Sequence, residues 1–182
     1  MPSATDPETD ATHMATPPLW GSWLVDPGAS HARFVAGTLA GLVKTPGRFH
    51  ALSGKLHVEE AQAAGDLVID CSSIDTGNRM RDRHLRSRGF FHVKRHPLIH
   101  YEAHSVSRQD RGRARIDGEL VVAGTRTALP LDVTMHAPTD RVLELACHTE
   151  VDRVALGIRG ARGMVPRAVR LDVAITLRQV SA

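Results

Sequence analysis

Aromatic residues are scarce in this chain. They make up 4% of its 182 residues, as two Trp, one Tyr and four Phe. The hydrophobic fraction is nevertheless 42%, which is ordinary for a globular protein. We therefore expect a single domain whose core consists mainly of Val, Leu, Ile and Ala.

Cysteine is scarcer still. Cys71 and Cys147 are the two cysteines, and each falls in the middle of a predicted strand. No CxxC pair or zinc-knuckle spacing is present, so neither a redox motif nor a structural zinc site is indicated. We expect both thiols to be buried and the protein to be in a reducing compartment. The spacing of the two cysteines gives no reason to expect a disulfide.

Long apolar runs are absent as well. No stretch of about twenty apolar residues occurs, so no membrane-spanning helix is predicted. Residues 1–18 are rich in Pro, Thr, Ser and acidic residues and lack the apolar segment of a secretory signal. We expect residues 1–18 to be a disordered tail, residues 19–182 to be the folded domain, and the protein to be cytoplasmic.

Motifs of nucleophilic and phosphate chemistry are also missing. There is no G-x-S-x-G elbow and no strand–GxxxxGK–helix pattern. Neither cysteine has a local group that would activate it. We therefore predict no enzyme activity and no cofactor. One alternative stays open, because His100, Glu102 and His104 would share one face of a strand and such a triplet can hold zinc.

Positive charge is concentrated in one segment. The formal net charge is +3, and residues 79–95 contain seven Arg or Lys against one acidic residue. Such a cluster can attract phosphate or an anionic membrane surface. Nucleic acid is not the predicted partner, because these arginines are not interleaved with aromatic residues that could stack on bases.

Period-two alternation dominates the rest of the chain and predicts an all-β fold of eight or nine strands. The predicted strands cover residues 20–26, 30–39, 48–58, 66–74, 98–106, 114–123, 127–137, 142–152 and 168–177. Medium-sized aliphatic residues recur on one face of nearly every strand. This pattern favours an antiparallel barrel, whose interior is filled by side chains or by one ligand.

One helix interrupts the strands. Turn and N-cap residues end at Asn78, a short helix is predicted over about residues 78–87, and Gly89 is expected to stop it. The adjacent Arg81 and Asp82 are interpreted as a structural pair. The basic helix and the following Phe90 and Phe91 suit a lid that is charged outside and apolar inside.

The segment from Ser73 to Pro97 resembles the signature of the YceI-like family. Its pattern is SIDTGN..RD.HLRS..FF.V...P, and further blocks of similarity begin at Trp23, Gly118 and Asp152. The resemblance implies an extended eight-stranded antiparallel barrel of lipocalin-like shape. It also implies non-enzymatic binding, transport or sequestration of a polyisoprenoid, such as a quinone tail or a prenyl pyrophosphate.

Candidate ligand-binding residues follow from this resemblance and from the inward faces of the strands. The predicted tunnel lining consists of Phe34, Leu67, Ile69, Ile99, Tyr101, Leu120, Val122, Leu131 and Val133, with Phe90 and Phe91 closing one end. Arg81, Arg83 and Arg86 are predicted to lie near the headgroup. A second alternative is a basic protein that docks on a membrane surface or on nucleic acid. Transient membrane contact and a homodimer are left open.

Overall fold

The computed structural model describes residues 19–38, 42–60, 62–161 and 163–180. The predicted tail, residues 1–18, lies outside them. Twelve strands run through the described part: β1 (Gly21–Val25), β2 (His31–Thr38), β3 (Val43–Phe49), β4 (Leu52–Val58), β5 (Ala63–Asp70), β6 (Ile74–Asp75), β7 (Leu98–Gln109), β8 (Arg113–Val122), β9 (Thr125–Ala128), β10 (Leu131–Thr139), β11 (Val142–Asp152) and β12 (Ala168–Gln179). One α-helix, α1 (Arg79–Leu85), and a 3-10 turn, Cys71–Ser73, complete the elements in these ranges.

Eight of these strands close into an antiparallel barrel. The order is β1-β4-β5-β7-β8-β10-β11-β12, and β12 pairs back with β1 through Val25 and Leu177. Closure leaves no free edge around this ring. The predicted eight-stranded barrel with one short helix is therefore confirmed.

The last strand, β12, is shared between two early strands. β12 pairs with β1 near its end and with β2 near its beginning, and the pairing continues from β2 to β3 and β6. Residues 44–47 fall between the strands predicted over 30–39 and 48–58, but they lie within β3. Pro46 is accommodated there because, among the described strands, this part of β3 pairs only with β2, and proline is tolerated at a sheet edge. The break falls instead at His50 and Ala51.

The hairpin after β8 also differs from the expectation. Its turn consists of Ala123 and Gly124, with φ of 49° and 79°, rather than residues 124–126. Two successive positive φ values are those of a type I′ turn, whose twist matches that of paired strands. The strand predicted over residues 127–137 is divided at Leu129 and Pro130, because proline has no N–H to donate to a ladder.

Helix α1 begins as predicted and ends earlier. The Asn78 side chain accepts hydrogen bonds from the backbone N–H groups of Met80 at 3.0 Å and Arg81 at 3.1 Å, which caps the first turn. The helix ends at Leu85, and the N–H of Arg86 closes its last turn on the carbonyl of Asp82. Gly89 is therefore not the residue that stops it.

The barrel has two unlike ends. The cap is formed by α1, the loop that follows it to His96, and residues 153–161. The rim, at the opposite end, is formed by residues 19–20, 59–60 and 62 and by the turns at 110–112 and 140–141. Fully buried Trp23 lies between them near the rim, and its indole N–H donates to the carbonyl of Leu19 at 3.0 Å. No helix within the described ranges is long and apolar enough to cross a bilayer.

Candidate functional site

A cavity of about 1070 Å³ runs through the barrel from the rim to the cap. Every second side chain of each strand faces inward, but these side chains do not fill the interior, so a cavity remains. All eleven residues predicted to line it do so: Phe34, Leu67, Ile69, Phe90, Phe91, Ile99, Tyr101, Leu120, Val122, Leu131 and Val133. The structure thus brings the whole predicted lining together around one space.

The wall is largely aliphatic, with aromatic rings concentrated toward the cap. The ring of Phe49 lies 5.8 Å from that of Phe34 and 5.7 Å from that of Phe91, the latter edge to face. Both distances are within the range of favourable aromatic contacts. Such a wall offers apolar contact along its length and few hydrogen bonds.

Tyr101 lines the cavity, and its hydroxyl group already has a hydrogen-bond partner. The phenol is 9% exposed, and its O–H donates to the carbonyl of Leu129 at 3.0 Å. Burial raises its pKa to about 12, so the phenol stays protonated at neutral pH. Its ring therefore presents an apolar face to the cavity.

The cap closes over the end of the cavity. Phe90 and Phe91 are each 9% exposed and Leu156 is 6% exposed. A Cβ placed on Gly160 would lie 2.6 Å from the carbonyl oxygen of Gly89 and 2.6 Å from the ring of Phe90, so the two cap segments meet in direct contact. The absence of a side chain at Gly160 permits this approach.

Arg153 organises the second cap segment, and no role was predicted for it. Its guanidinium is 5% exposed and donates to the carbonyls of Ile158, Gly160 and Val165 at 2.8 Å and to that of Pro166 at 2.9 Å. The side chain also lines the cavity. The Asp152-Arg153 pair was part of the family resemblance, but the sequence did not indicate that its partners would be carbonyls.

Arg81 and Asp82 hold the helix to Thr76. Arg81 Nε donates to Thr76 Oγ1 at 2.8 Å, and Nη2 donates to the Thr76 carbonyl at 2.7 Å. The buried carboxylate of Asp82 accepts from the Thr76 N–H at 3.0 Å and hydroxyl at 2.6 Å. These contacts agree with the structural interpretation of the pair.

The three arginines predicted near the headgroup are not gathered at one place. Arg81 lines the cavity, whereas Arg83 and Arg86 are not among its lining residues. Arg83 is exposed on α1, and Arg86 Nη2 donates to the carbonyl of Ile74 at 2.8 Å. The Nε of Arg86 is buried without a hydrogen-bond partner in the part of the chain that the structure describes.

His100, Glu102 and His104 each approach a different side chain. His100 Nε2 lies 4.0 Å from Asp66, His104 Nε2 lies 3.6 Å from Glu119, and Glu102 lies 3.8 Å from Arg126. The ladder between β7 and β8 shifts register between Ala103 and Ser105, which breaks the regular spacing assumed for the triplet. Among the described residues, no group of three or more His, Cys, Asp or Glu side chains is placed to hold a metal ion.

Both cysteines are free and buried. Burial raises the thiol pKa of Cys71 to about 11 and also raises that of Cys147. A thiol needs its thiolate form to act as a nucleophile. Cys147 lines the cavity whereas Cys71 does not.

A second depression of about 750 Å³ lies across β2, β3, β11 and β12 and residues 75–77, which precede α1. Asp75 lies in it, and its carboxylate accepts from the Gly77 N–H at 2.8 Å and approaches His50 Nε2 and Arg48 Nη2 at 3.1 Å each. These contacts, led by the Gly77 N–H, lower the pKa of Asp75 to about 2. The negative charge of Asp75 is therefore matched by its neighbours.

Comparison with known proteins identifies the family to which this barrel is similar. The profile of the YceI-like domain matches residues 23–177. A "UPF0312 protein" of Ectopseudomonas mendocina is 32% identical over 81 residues, and one of Pseudomonas aeruginosa is 33% identical over 81 residues. Each alignment covers 43% of this chain and 42% of the relative, so the chain spans less than half the length of the relatives it matches.

Solved structures share the fold at lower identity. The Burkholderia cenocepacia protein BcnA has a TM-score of 0.76 at 18% identity, covering 84% of this chain and 98% of that one. A polyisoprenoid binding domain from Saccharophagus degradans, implicated in plant cell wall breakdown, has a TM-score of 0.75 at 16% identity, covering 87% and 98%. The YceI protein of Campylobacter jejuni has a TM-score of 0.66 at 18% identity, covering 74% and 85%.

Proposed function

The chain belongs to the YceI-like family, and we propose that it binds one long apolar chain of the polyisoprenoid kind inside the barrel without chemically changing it. The observation that supports this most directly is the cavity of about 1070 Å³ with its aliphatic wall. Clefts of this size and character are typical of small-molecule sites. The polyisoprenoid binding ascribed to the similar Saccharophagus degradans domain favours the same ligand class.

The energetics suit a ligand that makes few polar contacts. Each buried methylene contributes about 0.8 kcal/mol, so one five-carbon isoprene unit contributes at most about 3–4 kcal/mol. Ordering the ligand and losing its translational freedom offset part of this gain. A few units are therefore enough for micromolar binding without hydrogen bonds along the tail.

Three ionisable side chains that line the cavity already make structural contacts, which favours binding over catalysis. Tyr101 donates to a backbone carbonyl, Arg81 holds Thr76, and Arg153 holds the second cap segment. Each of these side chains has a structural partner, and a general acid or base must instead reach a proton on the substrate. A carrier or sequestering role follows from this interpretation, and a transport function and cytoplasmic location remain predictions.

The first experiment is native mass spectrometry of the protein purified from its own kind of host, followed by organic extraction. A stoichiometric adduct that is released on denaturation and identified as a prenyl lipid supports the proposal. A protein that stays empty after incubation with prenyl lipids of several lengths contradicts it. Elemental analysis of the same sample tests the metal-enzyme alternative, which requires a stoichiometric metal.

A second candidate role is docking of the cap on an anionic membrane. Arg79, Arg83, Arg88, Lys94 and Arg95 are exposed, and none of them forms an ion pair with another described residue. Met80, on the same helix, is 80% exposed. Clustered cations around an exposed apolar side chain suit an interface rich in anionic lipid.

Flotation with vesicles tests this second role. Binding is expected to vesicles that contain anionic lipid, to be absent with neutral lipid, and to weaken in moderate salt. Reversing Arg79 and Arg83 to Glu should abolish it, whereas reversing Arg113 at the rim should not. Equal binding by both variants contradicts docking through the cap.

A further inference from the structure

Arg108 lies on the inward face of β7 at the rim. It is directly opposite Ala114, which is fully buried, and residues directly opposite in an antiparallel pair project to the same face. The register shift between Ala103 and Ser105 produces this placement. Without it, the alternation set by Ile99 and Tyr101 would continue on odd-numbered residues and Arg108 would face outward.

This guanidinium has no ion-pair or hydrogen-bond partner among the residues that the structure describes. The other cavity-lining cations differ from it. Arg81 and Arg153 donate to Thr76 and to backbone carbonyls. Arg33, Lys55 and Arg108 are all exposed, but Arg33 and Lys55 occupy the outward positions of their strands, each next to an inward-facing residue. Arg108 is therefore the inward cation, among the described residues, whose donors are available to a ligand.

The surroundings of Arg108 restrict what it can bind. Glu59, Glu60 and Gln62 also line the cavity at the rim, and Trp20, 51% exposed, adds an apolar surface. Glu59 Oε1 lies 3.3 Å from His57 Nε2. Two carboxylates and one inward guanidinium thus line the same end of the cavity, so a head with several negative charges is disfavoured there, whereas a single carboxylate can pair with Arg108.

We infer that Arg108 binds the head of the ligand, that this head is a carboxylate, and that the tail runs from the rim toward the cap. The inference rests on the proposed function. The inference places the polar head at the rim. The sequence had instead predicted the head near Arg81, Arg83 and Arg86, at the opposite end of the barrel. Arg108 then determines specificity for the head, and the aliphatic wall determines it for the tail.

Three probes with the same tail and different heads measure the contribution of the head to the affinity. Geranylgeranoic acid, geranylgeraniol and geranylgeranyl diphosphate share one chain and differ in the head. Affinity is measured by competition with a fluorescent long-chain probe, at low and at moderate salt. The wild-type protein should bind the acid about fivefold more tightly than the alcohol, since an exposed ion pair contributes modestly, and should bind the diphosphate more weakly than the acid.

The key variant is Arg108→Met, which retains an unbranched apolar side chain and removes the charge. It should bind acid and alcohol equally well, and Arg108→Lys should retain part of the preference. Arg83→Met, on the exposed face of α1, is the matched control and should keep the wild-type preference. Glu60→Gln should improve binding of the diphosphate. Thermal unfolding of every variant identifies any that fails to fold.

The outcomes distinguish a failure of the proposed function from a failure of the role of Arg108. If no probe binds to the wild-type protein, the proposed function itself fails. If acid and alcohol bind equally, or if Arg108→Met keeps the preference while folded, chain binding stands and the role of Arg108 is overturned. If the diphosphate binds most tightly and Arg83→Met reduces that affinity, the head lies at the cap instead.

Discussion

Gly160 lies against the ring of Phe90, at a distance that leaves no room for a side chain. A Cβ on Gly160 would come within 2.6 Å of the ring, and within 2.6 Å of the carbonyl oxygen of Gly89. This contact joins the two segments of the cap. The seal over the cavity therefore depends on a close approach between one backbone position and one aromatic ring.

Replacing Gly160 by Ala should weaken this seal. The new methyl group must displace Phe90 or the backbone of Gly89, so we expect a loss of about 1–3 kcal/mol in the free energy of unfolding. Ligand release should also become faster. Chemical denaturation and stopped-flow dilution of bound ligand measure the two effects.

Gly89→Ala is the matched control for this change. A Cβ on Gly89 would be 3.9 Å from the nearest atom, the Cα of Gly160, which is an ordinary contact. Its effect on stability should stay within about 0.5 kcal/mol. Equal effects of the two substitutions would show that the cap does not close by this contact.

Leu120→Glu should abolish binding of a long apolar chain. Leu120 lines the cavity, and a carboxylate there must be solvated or protonated, which opposes an apolar ligand at the same place. Val121→Glu, on the outward face of the same strand and opposite His100, should leave binding intact. Competition assays on both variants, with circular dichroism to confirm folding, check this; unchanged binding by folded Leu120→Glu removes Leu120 from the lining.

Cys147 should report occupation of the cavity, and Cys71 should not. Both thiols are buried with raised pKa values, so both should react slowly with a maleimide in the folded protein. A bound chain should slow the reaction of Cys147 further, because Cys147 lines the cavity and Cys71 does not. Peptide mass spectrometry measures the two rates, and equal protection of both would indicate general stabilisation instead.

Asp75 should make stability depend on pH in the acid range. Its pKa is lowered from 3.8 to about 2 by the Gly77 N–H, His50 and Arg48, so the folded protein favours the ionised form. This contribution is fully present above about pH 4 and is lost as the pH falls through about 2. Urea denaturation across this range should show a shallower decline for Asp75→Asn than for the wild type. Identical declines would mean that the carboxylate is equally acidic in the unfolded chain.

The barrel and its lining were predictable from the sequence because both depend on alternation along single strands. Side chains of a strand point to opposite faces in turn, so Leu67 and Ile69, or Leu131 and Val133, identify an inward face without knowledge of their partners. The Asn78 cap was predictable for the same reason, since its hydrogen bonds reach only two and three residues along the chain.

The breaks in that alternation were not predictable. The edge position that accommodates Pro46 depends on which strands pair with β3, and the bulge near His104 depends on the register between β7 and β8. A single inserted residue reverses the face of every residue that follows it. Nothing within β7 alone indicates that Arg108 faces the interior.

The sequence by itself determined that this chain forms an apolar-lined barrel of the YceI-like kind with a basic, aromatic cap. Only the tertiary structure decided what each arginine does: Arg81 and Arg153 fasten the cap, Arg83 is exposed, and Arg108 faces into the cavity. Apolar side chains are placed by the alternation within a strand. Arg81 and Arg153 are instead placed by acceptors five to thirteen residues away, in loops whose conformation depends on how the cap packs. The face of Arg108 depends on the register between two strands.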